Sequence, residues 1–517
     1  MKSYEAGCGH FDCGGSPGSV HEAVSWWGAR WDGLGRVLHE NTGRNGASDG
    51  AGPVGPFAGG PPPDALHVET PPLERFGLAE LGRAVVVACA LVAFVTWAIL
   101  RWSVLRPMGR ADCRSLVDAA AHGTVDAFEH LGPTFVKLGQ LVASSPGLFP
   151  APLADACLRM LDDVPTFPSE QARAVIEEDL GHPIGEMFSS FDDVPLAAAS
   201  VAQVHGCVLR DGREAVIKVQ RPGIARRMLV DLRAAYVGAK ILRIFEFFRI
   251  ANTPAIIRDL YNATMTELNA AVEADRQDRF RNNIGAFGDN RFVTVPEVYW
   301  QWCGPRVICM ERLKGTPLDR VVREDDGLDT ALLVRRGVKV WIEAVLMHGP
   351  FHGDVHAGNL WYLDDGRVAL LDFGIVGELP DQWRTVLREL FRSALLDGDF
   401  SSVARSIREL GVAENLDVDD VEVGRQVAET FGPLLGRDLS ELRLSALIGA
   451  LVSLGRQWNT TSPEEMVLFG KQIGYFERYA TALAPGWVLG RDPFVFRNVF
   501  PEEVAIRIAE SGVSLPD

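Results

Sequence analysis

The sequence predicts an α+β fold in two lobes, a strand-rich part followed by a helical part, with a tail and an apolar helix in front. Three observations predict it. Ala84 to Leu100 is a run of seventeen residues without a charge. Pro195 to Val219 reads as strand, turn, strand: Ser200-Val201-Ala202-Gln203-Val204-His205 alternates, Asp211-Gly212 supplies the hairpin turn, and Glu214-Ala215-Val216-Ile217-Lys218-Val219 returns. Downstream, Phe351-His352-Gly353-Asp354-Val355-His356-Ala357-Gly358-Asn359 and Leu370-Leu371-Asp372-Phe373-Gly374 place two carboxylates and a carboxamide on a short loop and a strand end.

Size and composition bound what these elements can do. At 517 residues the chain holds two or three domains. Hydrophobic residues make up 47% and charged residues 23%, so most of it is expected to be globular. A net charge of −17 argues against broad binding to nucleic acid, whose phosphates demand a basic face. The cysteines, at 8, 13, 89, 113, 157, 207, 303 and 309, are scattered and suit a reducing compartment rather than a disulfide framework. Cys8, His10 and Cys13 offer three zinc-type ligands without a fourth, weak evidence for zinc, and chance within a disordered tail is the preferred reading.

The N-terminal stretch is expected to be disordered. Between Asn45 and Pro63, eleven of nineteen residues are Gly or Pro, too little apolar surface to offset ordering entropy. The apolar run that follows covers ~26 Å at ~1.5 Å per residue, slightly short of a ~30 Å hydrocarbon core. Arg83 and Arg101 are placed to snorkel at its ends, and Trp97 and Trp102 suit an interface. A single transmembrane span is the expectation. A buried core helix and a hairpin dipping into one leaflet are the alternatives. Arg101, Arg106, Arg110 and Arg114 follow the run, against Arg75 and Arg83 before it. The positive-inside bias therefore puts the C-terminal bulk in the cytoplasm and the tail outside.

From Asp112 to about Ser189 the pattern is helical. Gly132-Pro133 starts a helix carrying Lys137-Leu138-Gly139-Gln140, with Lys137 and Gln140 on one face. Gly139 in a helix interior suggests a close backbone approach. Later, Asn252-Thr253-Pro254 caps a long helix expected to run to about Asn283, with Asn269 and Glu273 sharing a face. Arg306 to Glu311 reads as a short apolar strand.

The chemistry expected of these pieces is phosphoryl transfer. In that reaction one carboxylate faces the attacking hydroxyl or water, and two further groups hold divalent metal against the phosphates. Asp354 fits the first role, and Asn359 and Asp372 the second. Val216-Ile217-Lys218 resembles the protein-kinase strand whose lysine binds the α- and β-phosphates, and Ala197-Ala198-Ala199-Ser200 stands where a kinase has its glycine-rich loop. Glu273 is the expected partner of Lys218. Met310 and Glu311 fall at the hinge between lobes, Met310 as a gatekeeper. After Gly374 no Ser, Thr or Tyr occurs until Thr385, which leaves no phosphorylatable activation loop.

Taken together, the motifs resemble the UbiB/AarF family of atypical kinases, which includes the mitochondrial ADCK proteins tied to coenzyme Q. Lys137-Leu138-Gly139-Gln140 matches the family's KxGQ motif. Pro195 to His205 matches its alanine-rich loop, and Lys218-Val219-Gln220-Arg221-Pro222-Gly223 its lysine strand. The HGD loop and Asp372-Phe373-Gly374 complete the set. The resemblance implies a protein-kinase-like two-lobed fold with an N-terminal helical KxGQ extension that packs over the active site. It adds Lys137 and Gln140 to the catalytic set of Asp354, Lys218 and Glu273. It gives Ala197, Ala198, Ala199, Ser200, Lys218, Met310, Glu311, Asn359 and Asp372 to the nucleotide. The implied cofactors are ATP and Mg²⁺, with Mn²⁺ as a substitute. The implied partner is a membrane lipid or quinone precursor at the cell (inner) membrane, with no nucleic acid. The oligomeric state is left open, a homodimer among the options.

On this reading residues 1–80 are the disordered tail and 81–105 the transmembrane helix. Residues 110–190 are the extension, 191–315 the N-lobe and 316–517 the C-lobe with a helical C-terminal part. Two residues depart from the family pattern. Glu267-Leu268-Asn269 stands where an acidic E-x-D pair is usual, and Ala357 replaces a proline. Two rival functions remain: a small-molecule kinase of the aminoglycoside or choline type, and a non-catalytic nucleotide-binding membrane scaffold.

Overall fold

The computed structural model describes residues 53–108, 115–143, 149–161, 166–246, 252–321, 327–395, 398–410, 419–435, 464–489, 492–512 and 515–516. The Cys8/His10/Cys13 cluster and most of the tail lie outside them. The expectation of disorder up to residue 80 is corrected for 53–77. Phe57 is fully buried in one core with Ile176, Met187 and Ile217. Carbonyls of this strap are held one by one: Asn269 donates to Ala65 O (2.9 Å) and His67 O (3.4 Å), and Arg233 to Pro72 O (3.0 Å). Proline supplies chain stiffness without N–H donors, so the strap lies down through side-chain partners rather than a ladder.

Three helices follow: α1 (Leu78–Leu105), α2 (Leu116–Leu131) and α3 (Pro133–Ala143). The Leu78–Met108 stretch is long and apolar enough to cross a membrane. Helix α1 begins earlier than its apolar run, because its first turns belong to the folded body. Arg83 does not snorkel: it pairs with buried Asp231 (2.5 Å) and donates to Leu131 O (2.7 Å), and Glu80 pairs with Arg233 (3.4 Å). Asp231 also accepts from Thr134 Oγ1 (2.8 Å), so one carboxylate ties α1 and the start of α3 together. Pro133 does start a helix, and Gly139 has its steric reason, since a Cβ there would overlap the Met160 sulfur.

After α4 (Ala151–Cys157) and α5 (Ser169–Leu180) come four strands: β1 (Phe188–Phe191), β2 (Ala197–Ala198), β3 (Ala202–Leu209) and β4 (Glu214–Gln220). With β6 (Val307–Glu311) they form an antiparallel sheet in the order β1-β3-β4-β6, and β2 folds onto β3. Ala215, Ile217 and Val219 of β4 point into the core. The alternation leaves Lys218 on the opposite face. Helix α6 (Ile224–Leu242) then leads to a break the sequence reading did not place. The expected single helix is two, α7 (Thr253–Glu267) and α8 (Ala270–Gly285), because Asn269 leaves helical geometry and caps α8 by accepting from Val272 N (3.1 Å).

The remaining chain builds a second core. Strands β5 (Val293–Thr294), β6 (Val307–Glu311) and β7 (Gly315–Pro317) precede α9 (Thr330–Glu343). Then come β8 (Phe351–His352), β9 (Leu360–Leu363), β10 (Val368–Leu370) and β11 (Val376–Gly377). A four-stranded sheet runs β5-β10-β9-β7, and β8 pairs β11. Helices α10 (Asp381–Leu395), α11 (Ser401–Glu409), α12 (Asp420–Leu435), α13 (Glu464–Leu483) and α14 (Pro501–Ser511) follow. Trp341, Phe351, Phe373, Phe469 and Phe476 lie at the centre of their core.

Candidate active site

Lys218 and Asp372 are far apart in sequence and meet where β4 faces the end of β10. The Lys218 ammonium lies 2.5 Å from Glu273 Oε1 and 3.3 Å from Asp372 Oδ1. The Asp372 backbone sits at φ +59, the left-handed region, which an L-residue occupies at a cost and which clusters at functional sites. Its Oδ1 accepts from Gly374 N (3.1 Å). Burial works against charge on all three groups. For Lys218 the carboxylates of Asp372 and Glu273 outweigh it and push the ammonium up. For Asp372 the charge of Lys218 and the Gly374 N–H outweigh it and hold the carboxyl at about 2. For Glu273 burial wins over Lys218 and pushes the carboxyl up to about 7.

The HGD loop joins this cluster through His352. Its Nε2 lies 2.9 Å from Leu371 O, and its Nδ1 accepts from Asp354 N (3.1 Å). Burial lowers its pKa, which suits a neutral ring acting as one donor and one acceptor. Leu371 N in turn donates to Asn359 O (2.9 Å). Asn359 Nδ2 donates to Asp354 O (3.0 Å), so its Oδ1 is the atom that could serve a metal. Lys137 reaches in from α3 and pairs with Glu267, the residue at the end of α7. The structure thus brings Lys137, Lys218, Glu273, Asp354, Asn359 and Asp372 to one place. Gln140 lies on the same helix as Lys137. It donates to Met160 O (3.0 Å), a backbone contact among the N-terminal helices.

The alanine-rich loop is a tight turn: Ala199 N donates to Ala202 O (2.8 Å), and Arg221 grips Ala199 O (2.9 Å). Ser200 is buried beneath it. Met310 packs its sulfur near Gln277 Nε2 (3.6 Å), and Glu311 N donates to Glu297 O (2.8 Å). Beyond Gly374 the chain forms β11 at once, pinned by Gly353 N to Ile375 O (2.9 Å), so no extended activation loop intervenes before α10.

Residues matching the ABC1 atypical kinase-like domain run from 159 to 407. An uncharacterized protein of Mycobacterium tuberculosis is 32% identical over 429 residues, 83% of this chain and 86% of that one. The chain belongs to the ABC1 atypical kinase-like family. An aarF domain-containing protein kinase of Arabidopsis thaliana, described as chloroplastic, is 34% identical over 69% of this chain and 71% of its own. A probable protein kinase UbiB of Pseudomonas putida is 34% identical over 69% of this chain and 67% of its own. A solved Mycobacterium tuberculosis protein in complex with erythromycin is 22% identical over 68% of this chain and 91% of that one, at a TM-score of 0.43.

Asn269 stands where the resemblance implies an acidic residue, and its contacts need an amide. Its amide donates to two strap carbonyls while its oxygen caps α8. A carboxylate accepts only, so it would cap the helix and repel the strap. Lys137 pairs with Glu267.

Sequence reasoning missed the support behind Asp354. Gln472 of α13 donates to Gly353 O (2.6 Å) and accepts from Val355 N (3.0 Å), bracketing Asp354 from both sides. Tyr479 OH donates to Val355 O (2.8 Å). Burial and the Asp354 carboxylate push the Tyr475 phenol up to about 12. These residues follow the HGD loop by more than a hundred positions in a helix with no motif. Only their one-face spacing, 472, 475, 479, was visible in the sequence.

Proposed function

We propose that the chain is a membrane-associated atypical kinase or ATPase of UbiB type that uses Mg-ATP in support of isoprenoid-quinone or other membrane-lipid metabolism. The observation that carries the nucleotide part is the Lys218 ammonium held between Glu273 at 2.5 Å and Asp372 at 3.3 Å. In this reading the five-stranded sheet with α8 is the N-lobe and the part from α9 onward the C-lobe, with the nucleotide between them.

Lys218 binds the α- and β-phosphates, and Glu273 aims it. Asp372, whose side chain is 45% exposed, and the Oδ1 of Asn359 are hard oxygen ligands suited to Mg²⁺ completed by phosphate oxygens. The metal would supply charge neutralisation at the phosphates. Asp354 positions or deprotonates the nucleophile, its loop held by His352 and Gln472. Met310 and Glu311 flank adenine. Lys137 closes the site from α3, and that helix with the short segment after Gly374 leaves little platform for a protein substrate.

The relatives named UbiB and the apolar helix α1 support the lipid side of the proposal. Nucleotide binding and ATP turnover of the purified chain, with Mg²⁺ and lipid present, test it. Turnover in the wild type that is lost in Asp354→Asn while nucleotide still binds is the expected result. Absence of turnover in the wild type would instead favour a nucleotide-binding scaffold.

A further inference from the structure

Helix α1 has two faces of different kinds. One packs on α2, where a Cβ at Gly123 would lie 2.8 Å from Phe94 O and Val95 Cα. The other is open to solvent along the whole helix, ~42 Å at ~1.5 Å per residue. Leu78, Leu81, Val85, Val92, Trp97 and Val104 are exposed there, Trp97 to 66%. From Ala84 to Leu100 no charge interrupts it. Soluble monomers rarely leave a contiguous apolar surface of that size uncovered.

Topology decides how a bilayer would meet this stripe. Helix α2 runs antiparallel to α1, with Leu131 beside Arg83 and Gly123 beside Val95. It carries Asp118, His122, Asp126 and Glu129, the last two bonded to Arg159. Such a helix does not enter hydrocarbon beside α1. The chain also enters and leaves the pair on the same body. Phe57, before α1, sits in the core with Met187, and Thr134, after α2, bonds to Asp231. A single crossing would put those two segments on opposite sides of the membrane.

We propose that α1 lies lengthwise in the membrane interface, its open stripe in lipid and α2 and α6 on the water side, so that neither end crosses the bilayer. This rests on the membrane association proposed above and gives it a topology. The protein body plays the part that a polar face plays in an isolated interfacial helix. Trp97 and Trp102 with Arg106 over its ring at 4.8 Å suit the headgroup level. Helix α3, with Lys137, follows α2 directly, so the phosphate-binding side chains are held at a set distance from one leaflet, and a lipid acceptor would come from that leaflet.

The test uses the full chain in sealed cells. Gly59→Cys in the strap and Gly285→Cys at the end of α8 each add a thiol in open space. Each is scored by the extra mass shift with a membrane-impermeant PEG-maleimide over the parent chain. Both shifts should appear in the same compartment, together before permeabilisation or together only after it. One before and one after would restore a single crossing and overturn the proposal. In parallel, the wild type should float with phosphatidylcholine vesicles, and Val92→Glu/Trp97→Glu should float at least tenfold less. A wild type that never floats defeats membrane association itself. A stripe variant that floats equally well, or a stripe that only holds two copies together in vesicle-free solution, defeats the interfacial placement. Should the double variant fail to fold, the labelling pair decides alone.

Discussion

Lys218 and Lys339 each hold a glutamate at short range, Glu273 at 2.5 Å and Glu343 at 2.6 Å, yet the two pairs are finished differently. At the rear of the second core, Lys339 Nζ also meets Asn290 Oδ1 (2.6 Å) and Asp289 Oδ2 (3.1 Å). Glu343 also accepts from Asn290 (2.7 Å) and Asn498 (2.7 Å). That network closes on itself and ties α9 to the loop after α8 and to the C-terminal segment. At the front, the second partner of Lys218 is Asp372, whose carboxylate is half open to solvent. A closed set of charges specifies packing, whereas an open one keeps electrostatic capacity for a ligand. The Lys–Glu pair is the same chemistry in both places. What differs is whether its last partner faces protein or water.

The largest effect expected at the front is on rate. Asp354→Asn should lower ATP turnover by roughly 10²–10⁴-fold. Isothermal titration should find nucleotide binding nearly unchanged, and wild-type turnover in the variant would remove Asp354 from the chemistry. The rear pair should instead respond in stability. Lys339→Met strands buried Glu343 and should cost about 3–5 kcal/mol in urea unfolding. Lys218→Met should lose Mg-nucleotide binding with a much smaller loss of stability. Equal losses from the two lysines would break the contrast.

Gln472→Leu removes both backbone bonds that bracket Asp354. Misplacement of a reacting group by about 1 Å costs about 10²-fold, so kcat should fall by up to that factor with nucleotide affinity retained. A parallel drop in affinity would mean that α13 supports the whole pocket rather than the HGD loop.

The pH dependence comes next. Glu273 ionises at about 7, so below that pH it loses the charge that aims Lys218. Turnover should rise as pH climbs through 7, and Glu273→Gln should flatten that limb. The sign for folding is opposite. The folded chain holds a proton on Glu273 between the ordinary 4.5 and about 7 that the unfolded chain has released, so this group's share of stability shrinks as pH rises through that window. Asp372, held at about 2 against 3.8, contributes stability present above 3.8 and lost as pH falls through 2. Thermal melts of the wild type and Glu273→Gln across pH 4–8 check the first of these.

The smallest effect concerns the strap. Asn269→Asp keeps the α8 cap but turns a donor to two carbonyls into an acceptor, at a cost of about 1–3 kcal/mol. Limited proteolysis should then cut within 53–77. Unchanged resistance would mean that Phe57 and the Arg233 contact hold the strap without Asn269.

The cluster around Lys218 was legible because its residues sit in short motifs whose spacing is set locally. Asp354 and Asn359 share one loop, Asp372 ends a strand, and Lys218 lies on a hairpin whose alternation fixes its face. The strap was misread because its Gly/Pro content describes the free chain, while its order comes from isolated bonds to Asn269, Arg233 and Tyr261. Arg83 was read as a membrane-end residue because Asp231, its partner, is 148 positions away. The bond from Gln140 to Met160 O was out of reach of the helix pattern, because Met160 is 20 positions further on.

By itself the sequence determined the strand and helix periods, the family motifs and the identity of the charged groups, since these depend on neighbours within a few residues. Tertiary structure alone decided which lysine–glutamate pair is closed and which is open. It also decided that Gln472 and Tyr479 brace a loop far upstream, and that both ends of the α1–α2 hairpin return to one body. Those outcomes depend on which distant surfaces exclude water together, and local patterns along the chain carry no record of that.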